Sequence, residues 1–465
     1  MGRVGGAGSA AALFLFAFVI RVRGLESHFW LLGDQIRDWG IALRPFHELP
    51  LVGPATHVGG YTIGPAYYWI MWAIRVLVGP WFDNLPHAGG YGQAAIESTA
   101  DALLFVALWR RVQSPWVALA AAIVIVTSGF DVALSAIDWT PPIASALAKA
   151  AIALILLDWH RGGALRVAVV AALAWSALQV YTGVVYVTAG VGLALVAAPL
   201  ARRDWQTVRR VAVSVALVVL TLQLPYLAHR VLHASSGPAM GAVTGGVTQI
   251  LSGRAEPEVT KSLAGFAGAF NYIEVEPWHT PLALWALVVC NAIVMVRYRR
   301  DPSVLALVLA PQALAIVGYA LFLSTLDHYY YIPVMPVTVL AIAFAVAVPS
   351  GSRAGRAVGI ALVAAAVAIV PSRLAFAATL HRLPEYRVLV AASREIVARH
   401  EAVRAIRSEF TLPPSTDPEF LYSILGGRID PTAPRWALIQ TDGSVRYVVG
   451  GLPPSPKASA DSPQR

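Results

Sequence analysis

Apolar residues run along this chain in unbroken blocks, many near the 20 residues that a helix needs to cross a bilayer. The first is Gly5–Val22. Ala94–Trp109, Trp116–Leu134, Ile143–Leu157, Ala164–Val180 and Val184–Leu200 follow. Val211–Leu232, Pro281–Val296, Val304–Leu323, Ile332–Val348 and Ala357–Val370 complete the set. The pattern predicts about eleven membrane-spanning helices in an all-α polytopic protein. Only Arg3 precedes the first block, and Arg21 and Arg23 follow it in place of an Ala-x-Ala site. It therefore reads as an uncleaved span and not as a signal peptide.

The stretches between blocks are less uniform. A long first connection, residues 24–92, contains Tyr61–Val78, apolar but dense in Tyr61, Tyr67, Tyr68, Trp69 and Trp72. Tyr and Trp favour the membrane interface, so this stretch predicts a helix lying in that plane. A second connection, 233–279, is polar and glycine-rich, with Glu256, Glu258, Lys261, Glu274 and Glu276. Beyond a transmembrane domain at 1–371 lies a small α/β segment, 372–452. Within it Pro384–Phe410 has helical periodicity, and Arg435–Gln440 and Val445–Val449 flank Thr-Asp-Gly-Ser as a hairpin. Residues 453–465 are rich in Pro and Ser and are expected to be disordered. No internal repeat is visible, which weighs against transporters built from duplicated halves.

Composition supports the membrane reading. Hydrophobic residues make up 57% of the chain and charged ones 13%, against roughly 25% charged in soluble domains. The net charge of +9 sits in short arginine clusters. Arg110 and Arg111, Arg161 and Arg166, Arg202 to Arg210, Arg297 to Arg300, and Arg353 and Arg356 each follow an even-numbered span. That alternation is the positive-inside signal, not a nucleic-acid footprint. It puts the N-terminus in the cytoplasm and the C-terminal segment outside a cell membrane. Arg21 and Arg23 break the rule. The single cysteine, Cys290, excludes an internal disulfide and a cysteine metal site.

Candidate chemistry lies in the first connection. In Gly33-Asp34-Gln35-Ile36-Arg37-Asp38, helical spacing puts Asp34, Arg37 and Asp38 on one face. A capped interfacial helix with a solvated ion pair would account for the same residues. Asp138, before Trp139-Thr140-Pro141-Pro142, is brought by topology to the same side of the membrane. It too would serve as an N-cap. Lys149 lies inside a span, as do Glu97 and Asp101 one turn apart. An ionisable residue there is a functional candidate, and Lys149 would either bind an anion, pair with those acids or snorkel outward. No HExxH, CxxC or glycine-rich phosphate loop occurs, so a nucleotide-sugar donor has no support.

The order of these motifs resembles the GT-C glycosyltransferases, and most of all the branch of protein mannosyltransferases and lipid A aminoarabinose transferases. Asp34-Gln35-Ile36-Arg37 matches that branch's Asp-Glu-x-Arg, with Gln for Glu. Leu49-Pro50-Leu51-Val52-Gly53-Pro54 and Gly59-Gly60-Tyr61-Thr62-Ile63-Gly64-Pro65-Ala66-Tyr67-Tyr68-Trp69 follow. Asp138 matches its second outer Asp, and Asp327-His328-Tyr329-Tyr330-Tyr331-Ile332-Pro333 its late Tyr- and Pro-rich boundary. The likeness is good over roughly the first 200 residues and looser beyond.

The resemblance implies a polyprenyl-phosphate sugar donor and a glycan, lipid or protein acceptor. Asp34 would be the base and Arg37 the phosphate holder, with Lys149 and His328 as further phosphate candidates. Asp138 would orient the acceptor or Arg37, or share a divalent ion. Asp38, Tyr61, Tyr67, Tyr68, Trp139, Tyr329 and Tyr330 would line the lipid and sugar path. One departure is Thr62-Ile63-Gly64-Pro65, where aminoarabinose transferases carry Glu-Lys-Pro; that phosphate-binding lysine is absent.

Overall fold

The computed structural model describes residues 3–25, 29, 33–56, 60–112, 114–135, 137–233, 241–271, 279–323, 328–347, 352–379, 385–400, 402–410 and 417–449. In chain order the helices are α1 (Arg3–Val22), α2 (Gly33–Ala42), α3 (Ala66–Leu77), α4 (Leu85–Val112), α5 (Pro115–Val126), α6 (Gly129–Leu134) and α7 (Thr140–Leu156). Next come α8 (Ala164–Val180), α9 (Val185–Ala201), α10 (Trp205–Leu232), α11 (Gly241–Leu251), α12 (Val259–Asn271), α13 (His279–Arg297) and α14 (Pro302–Ala320). The remaining elements are α15 (Met335–Val346), α16 (Arg353–Ala368), α17 (Val370–Thr379), α18 (Glu385–Ala398), β1 (Ile406–Ser408), α19 (Pro418–Ile424), β2 (Arg435–Ile439) and β3 (Val445–Val449).

The chain is a multi-pass membrane protein. Among the described residues, four helical stretches are long and apolar enough to cross a bilayer, Thr182–Ala201, Trp205–Leu232, Pro302–Ala320 and Arg353–Thr379, and six shorter apolar helices accompany them. Each of the eleven expected spans has a helix. α4 starts nine residues before the expected apolar block because Pro86 sits in its first turn, and glycines and polar residues carry it on. The expected span Trp116–Leu134 breaks in two. Ser128 caps α6 by accepting from the Asp131 backbone N–H, while Thr127 Oγ1 bonds back to Ile123 O at 2.7 Å. α3 has 12 residues, a length of about 18 Å that cannot span the roughly 30 Å core. Two helices, α11 and α12, occupy the connection read as a polar loop.

The bundle is built from helices packed side by side. α4 packs on α1 and α7, α7 on α8, α8 on α10, and α9 on α14. The α9–α14 crossing is close at Gly190, where a Cβ would lie 2.4 Å from the Pro311 ring. At the arginine-rich end, Arg111 bonds both Asp158 and Asp301, joining the ends of α4 and α7 to the start of α14. The opposite end carries α2, α3 and the turn before α7.

That end also carries a second core. Helix α18 stops at Ala398, short of the expected Phe410, with His400 in the left-handed region at φ 52°. Residues 406–408 then form a strand parallel to β2, which pairs antiparallel with β3 as the expected hairpin. The buried core of this unit comprises Tyr386, Leu389, Ile396, Ile406, Leu421 and Ile439, and it includes Leu25 and Phe29 from the segment between α1 and α2. Ile36 of α2 and Tyr91 of α4 pack against it. Asn84 donates to the Tyr386 hydroxyl at 2.9 Å. The unit is thus fastened to the elements that present the candidate residues.

Candidate functional site

Helix α2 is short and has little apolar content of its own, so its position is fixed from outside. Trp39 and Ala42 are buried in the main core. Arg75 of α3 donates to the carbonyls of Ala42 and Arg44, at 2.9 and 3.0 Å, closing the helix's C-terminal end. Ile36 leans on the C-terminal unit.

The face carrying Asp34, Arg37 and Asp38 forms one ion cluster. Arg37 Nη1 donates to Asp34 Oδ1 at 2.9 Å and Nε to Asp38 Oδ1 at 2.8 Å. The two pairs differ in surroundings. The Asp34 side chain is 53% exposed and that of Asp38 only 2%. Asp38 Oδ1 also accepts from the Tyr68 hydroxyl at 3.1 Å. Burial pushes the Asp38 carboxyl up to about 6, against the opposing pull of Arg37. The Tyr68 phenol is raised too, by burial and by the Asp38 charge.

Asp138 is held one layer deeper. It is buried, in the left-handed region at φ 53°. Trp39 Nε1 donates to its Oδ2 at 2.9 Å, and the Tyr67 hydroxyl to its backbone carbonyl at 3.0 Å. Gly89 of α4 leaves room for it: a Cβ there would sit 2.3 Å from Asp138 Oδ2. Its Oδ1 has no hydrogen-bond partner among the described residues. Burial raises this carboxyl well above the ordinary range. The expectation that Asp138 orients Arg37 directly meets a different geometry: its contact with α2 runs through the Trp39 indole. Next in chain, Trp139 packs on Tyr329 with ring centroids 4.8 Å apart, and Tyr329 stacks on Tyr330 at 4.7 Å. The three motif segments near residues 34, 138 and 329 therefore meet at one end of the bundle.

Lys149 lies elsewhere. It is buried, with Nζ 2.7 Å from Asp101 Oδ1 and 3.4 Å from Asp131 Oδ2. Arg21 enters the same cluster from α1, reaching Glu97 at 3.2 Å, Asp101 at 2.7 Å and Asp131 at 3.0 Å. An enclosed ammonium held by two carboxylates has no free face for a lipid phosphate, which corrects the expected phosphate role of Lys149. The same cluster explains why Arg21 defied the arginine alternation: its guanidinium turns inward to three acids. Gln93 couples the cluster to the site, donating to Glu97 Oε1 at 3.3 Å and to Leu134 O at 3.2 Å. Its Oε1 accepts from the Trp139 backbone N–H at 2.9 Å.

Tyr61 is 39% exposed and faces His229 of α10. Asp327 and the side chain of His328 lie outside the described residues. So do Gly59, Glu274, Glu276, Pro384 and the tail 453–465. Among the described residues no group of three or more His, Cys, Asp or Glu side chains is arranged to hold a metal ion. Sequence reasoning did not single out Trp39, Gln93 or Asp131. Gln93, Glu97 and Asp101 recur at i, i+4 and i+8, a polar stripe that marks one helix face.

No protein-family model matches the chain, and no curated protein does. Solved structures do. The chain is similar to ArnT from Cupriavidus metallidurans bound to undecaprenyl phosphate, at 14% identity and a TM-score of 0.53, over 92% of this chain and 86% of that one. It is also similar to the apo state of that protein, with a TM-score of 0.49 at 14% identity over 91% and 85% of the two chains. An apo oligosaccharyltransferase from Archaeoglobus fulgidus scores 0.49 at 14% identity, over 91% of this chain and 64% of that one. The chain therefore shares the fold of ArnT along 92% of its length.

Proposed function

We propose that the chain is an inverting glycosyltransferase. It moves a sugar from a polyprenyl-phosphate donor to a hydroxyl of a cell-envelope glycan, lipid or protein on the outer face of the membrane. The observation that carries the reading is the Asp34–Arg37 pair on α2, open to solvent, at the end of the bundle where the three motif segments converge. The fold shared with ArnT supports it, since that protein was solved with undecaprenyl phosphate. The arginine clusters at the opposite end support an extracytoplasmic site.

The chemistry assigns one task to each group. A neutral alcohol is a poor nucleophile, so the Asp34 carboxylate takes its proton as the oxygen attacks the anomeric carbon. The bond from that carbon to the phosphate oxygen breaks, and the polyprenyl phosphate leaves with the electron pair. Arg37 balances the phosphate charge with a guanidinium that stays protonated. One displacement inverts the anomeric centre. Asp138, held by Trp39, orients the acceptor, and Trp139, Tyr329 and Tyr330 flank the sugar and lipid path.

A transporter or lipid flippase would need ionisable groups along a path through the bundle. Arg21, Glu97, Asp101, Asp131 and Lys149 are instead enclosed and paired with one another. A non-catalytic assembly partner would tolerate substitution at Asp34 and Asp138. The test is Asp34→Asn in cells lacking the native copy. Transfer to the surface glycan should stop at unchanged protein level, with the lipid-linked donor accumulating. Full transfer by this variant removes Asp34 as the base.

A further inference from the structure

Arg37 is shared unequally between two carboxylates, and the inequality has a direction. The Asp38 contact is buried and reinforced by the Tyr68 hydroxyl on the same oxygen, Oδ1. The Asp34 contact lies at the surface, where ion pairs are worth about 1 kcal/mol or less. A competing anion therefore displaces Asp34 far more readily than Asp38. In the resting arrangement the proposed base is itself hydrogen-bonded to the proposed phosphate holder.

Resting on the function proposed above, we infer that Arg37 is a pivot: Asp38 and Tyr68 anchor its Nε edge, and Asp34 latches its Nη1 until a lipid phosphate takes that place. Donor binding then releases the Asp34 carboxylate to face an acceptor hydroxyl. The base is exposed only when the donor is seated, so donor precedes acceptor. Asp38 and Tyr68 are positioning residues in this scheme. They touch no substrate, and they spare the guanidinium the entropy of being ordered when phosphate arrives.

The anchor and a simple charge effect predict opposite signs. Asp38 is a negative charge 2.8 Å from Arg37, so removing it should tighten anion binding if charge alone matters. The experiment measures binding of undecaprenyl phosphate to the full-length protein in nanodiscs of neutral lipid. Asp34→Asn should bind about fivefold tighter, because the competing latch is gone. Asp38→Leu should bind about five- to tenfold weaker. Asp38→Asn keeps an acceptor for Nε and for the Tyr68 hydroxyl and should bind at least as well as the wild type. Tyr68→Phe, a buried near-isostere, should bind about threefold weaker and serves if Asp38→Leu does not fold. Equal tightening in Asp38→Leu and Asp38→Asn, or no change in Asp34→Asn, overturns the pivot. Wild-type binding by Arg37→Gln instead overturns the assignment of Arg37 to phosphate, and with it the function proposed above.

Discussion

The Trp39 indole donates to the Asp138 carboxylate at 2.9 Å, joining two buried residues 99 positions apart. This bond couples the helix bearing Asp34 to the turn before α7. Trp39→Phe leaves Asp138 without its side-chain donor. A buried acceptor left unpaired costs about 1–3 kcal/mol, so glycosyl transfer should fall about 5- to 100-fold. Steady-state transfer assays on the purified variant check this.

Gly89→Ala tests the other wall of the same pocket. The added methyl would overlap the Asp138 carboxylate, whose backbone sits in the left-handed region with little freedom to follow. Alanine is a better helix residue than glycine by about 1 kcal/mol, which offsets part of the clash. Transfer should drop by at least about tenfold, with the thermal midpoint nearly unchanged. Undiminished transfer would show that Asp138 can move without consequence.

The cluster of Arg21, Lys149, Glu97, Asp101 and Asp131 should behave as a structural unit. Arg21→Met strands three buried acids with one lysine, a loss of about 3–5 kcal/mol. A lower thermal midpoint and a lower yield of membrane-inserted protein are expected. Arg21→Lys should be intermediate, because an ammonium cannot reach three carboxylates as a guanidinium does.

Asp38 makes stability depend on pH. Its carboxyl, ordinarily near 3.8, is pushed up to about 6 by burial. Arg37 and Asp34 face it from its own helix, and Tyr67 and Tyr68 from α3. Between these values the folded chain holds a proton that the unfolded chain has lost. Its contribution to stability therefore falls as pH rises from about 4 to 6, by about 3 kcal/mol in all. Asp38→Asn, which keeps both hydrogen bonds, should melt higher than the wild type at pH 7.5 and at the same temperature near pH 4. A buried charge retained against stability fits a residue kept for positioning.

The spans were legible because a bilayer demands continuous apolar helices, and each expected block carries one. Tyr61–Val78 also yielded to a simple rule, since aromatic density pointed to the interface and α3 is too short to cross. What the sequence concealed is mostly long-range. Nothing local says that Arg21 turns inward, or that Asp131, which looks like part of an α6 capping motif, completes its charge set. Lys149 offered three readings, anion binding, pairing or snorkelling, and only the positions of Asp101 and Asp131 decide among them. Trp39 carries no local signal of its bond to Asp138, 99 positions away. The strand at 406–408 was hidden in a helical pattern because its partner, β2, lies some thirty residues downstream.

Leu25 and Phe29, just ahead of α2, sit in a core otherwise supplied by residues beyond 385. The ribosome makes them first and their packing partners last. A chain halted after α17 would have every membrane crossing in place, yet the segment leading into Asp34 would still lack the wall it rests on. That wall forms only once the residues from 386 to 439 have been made.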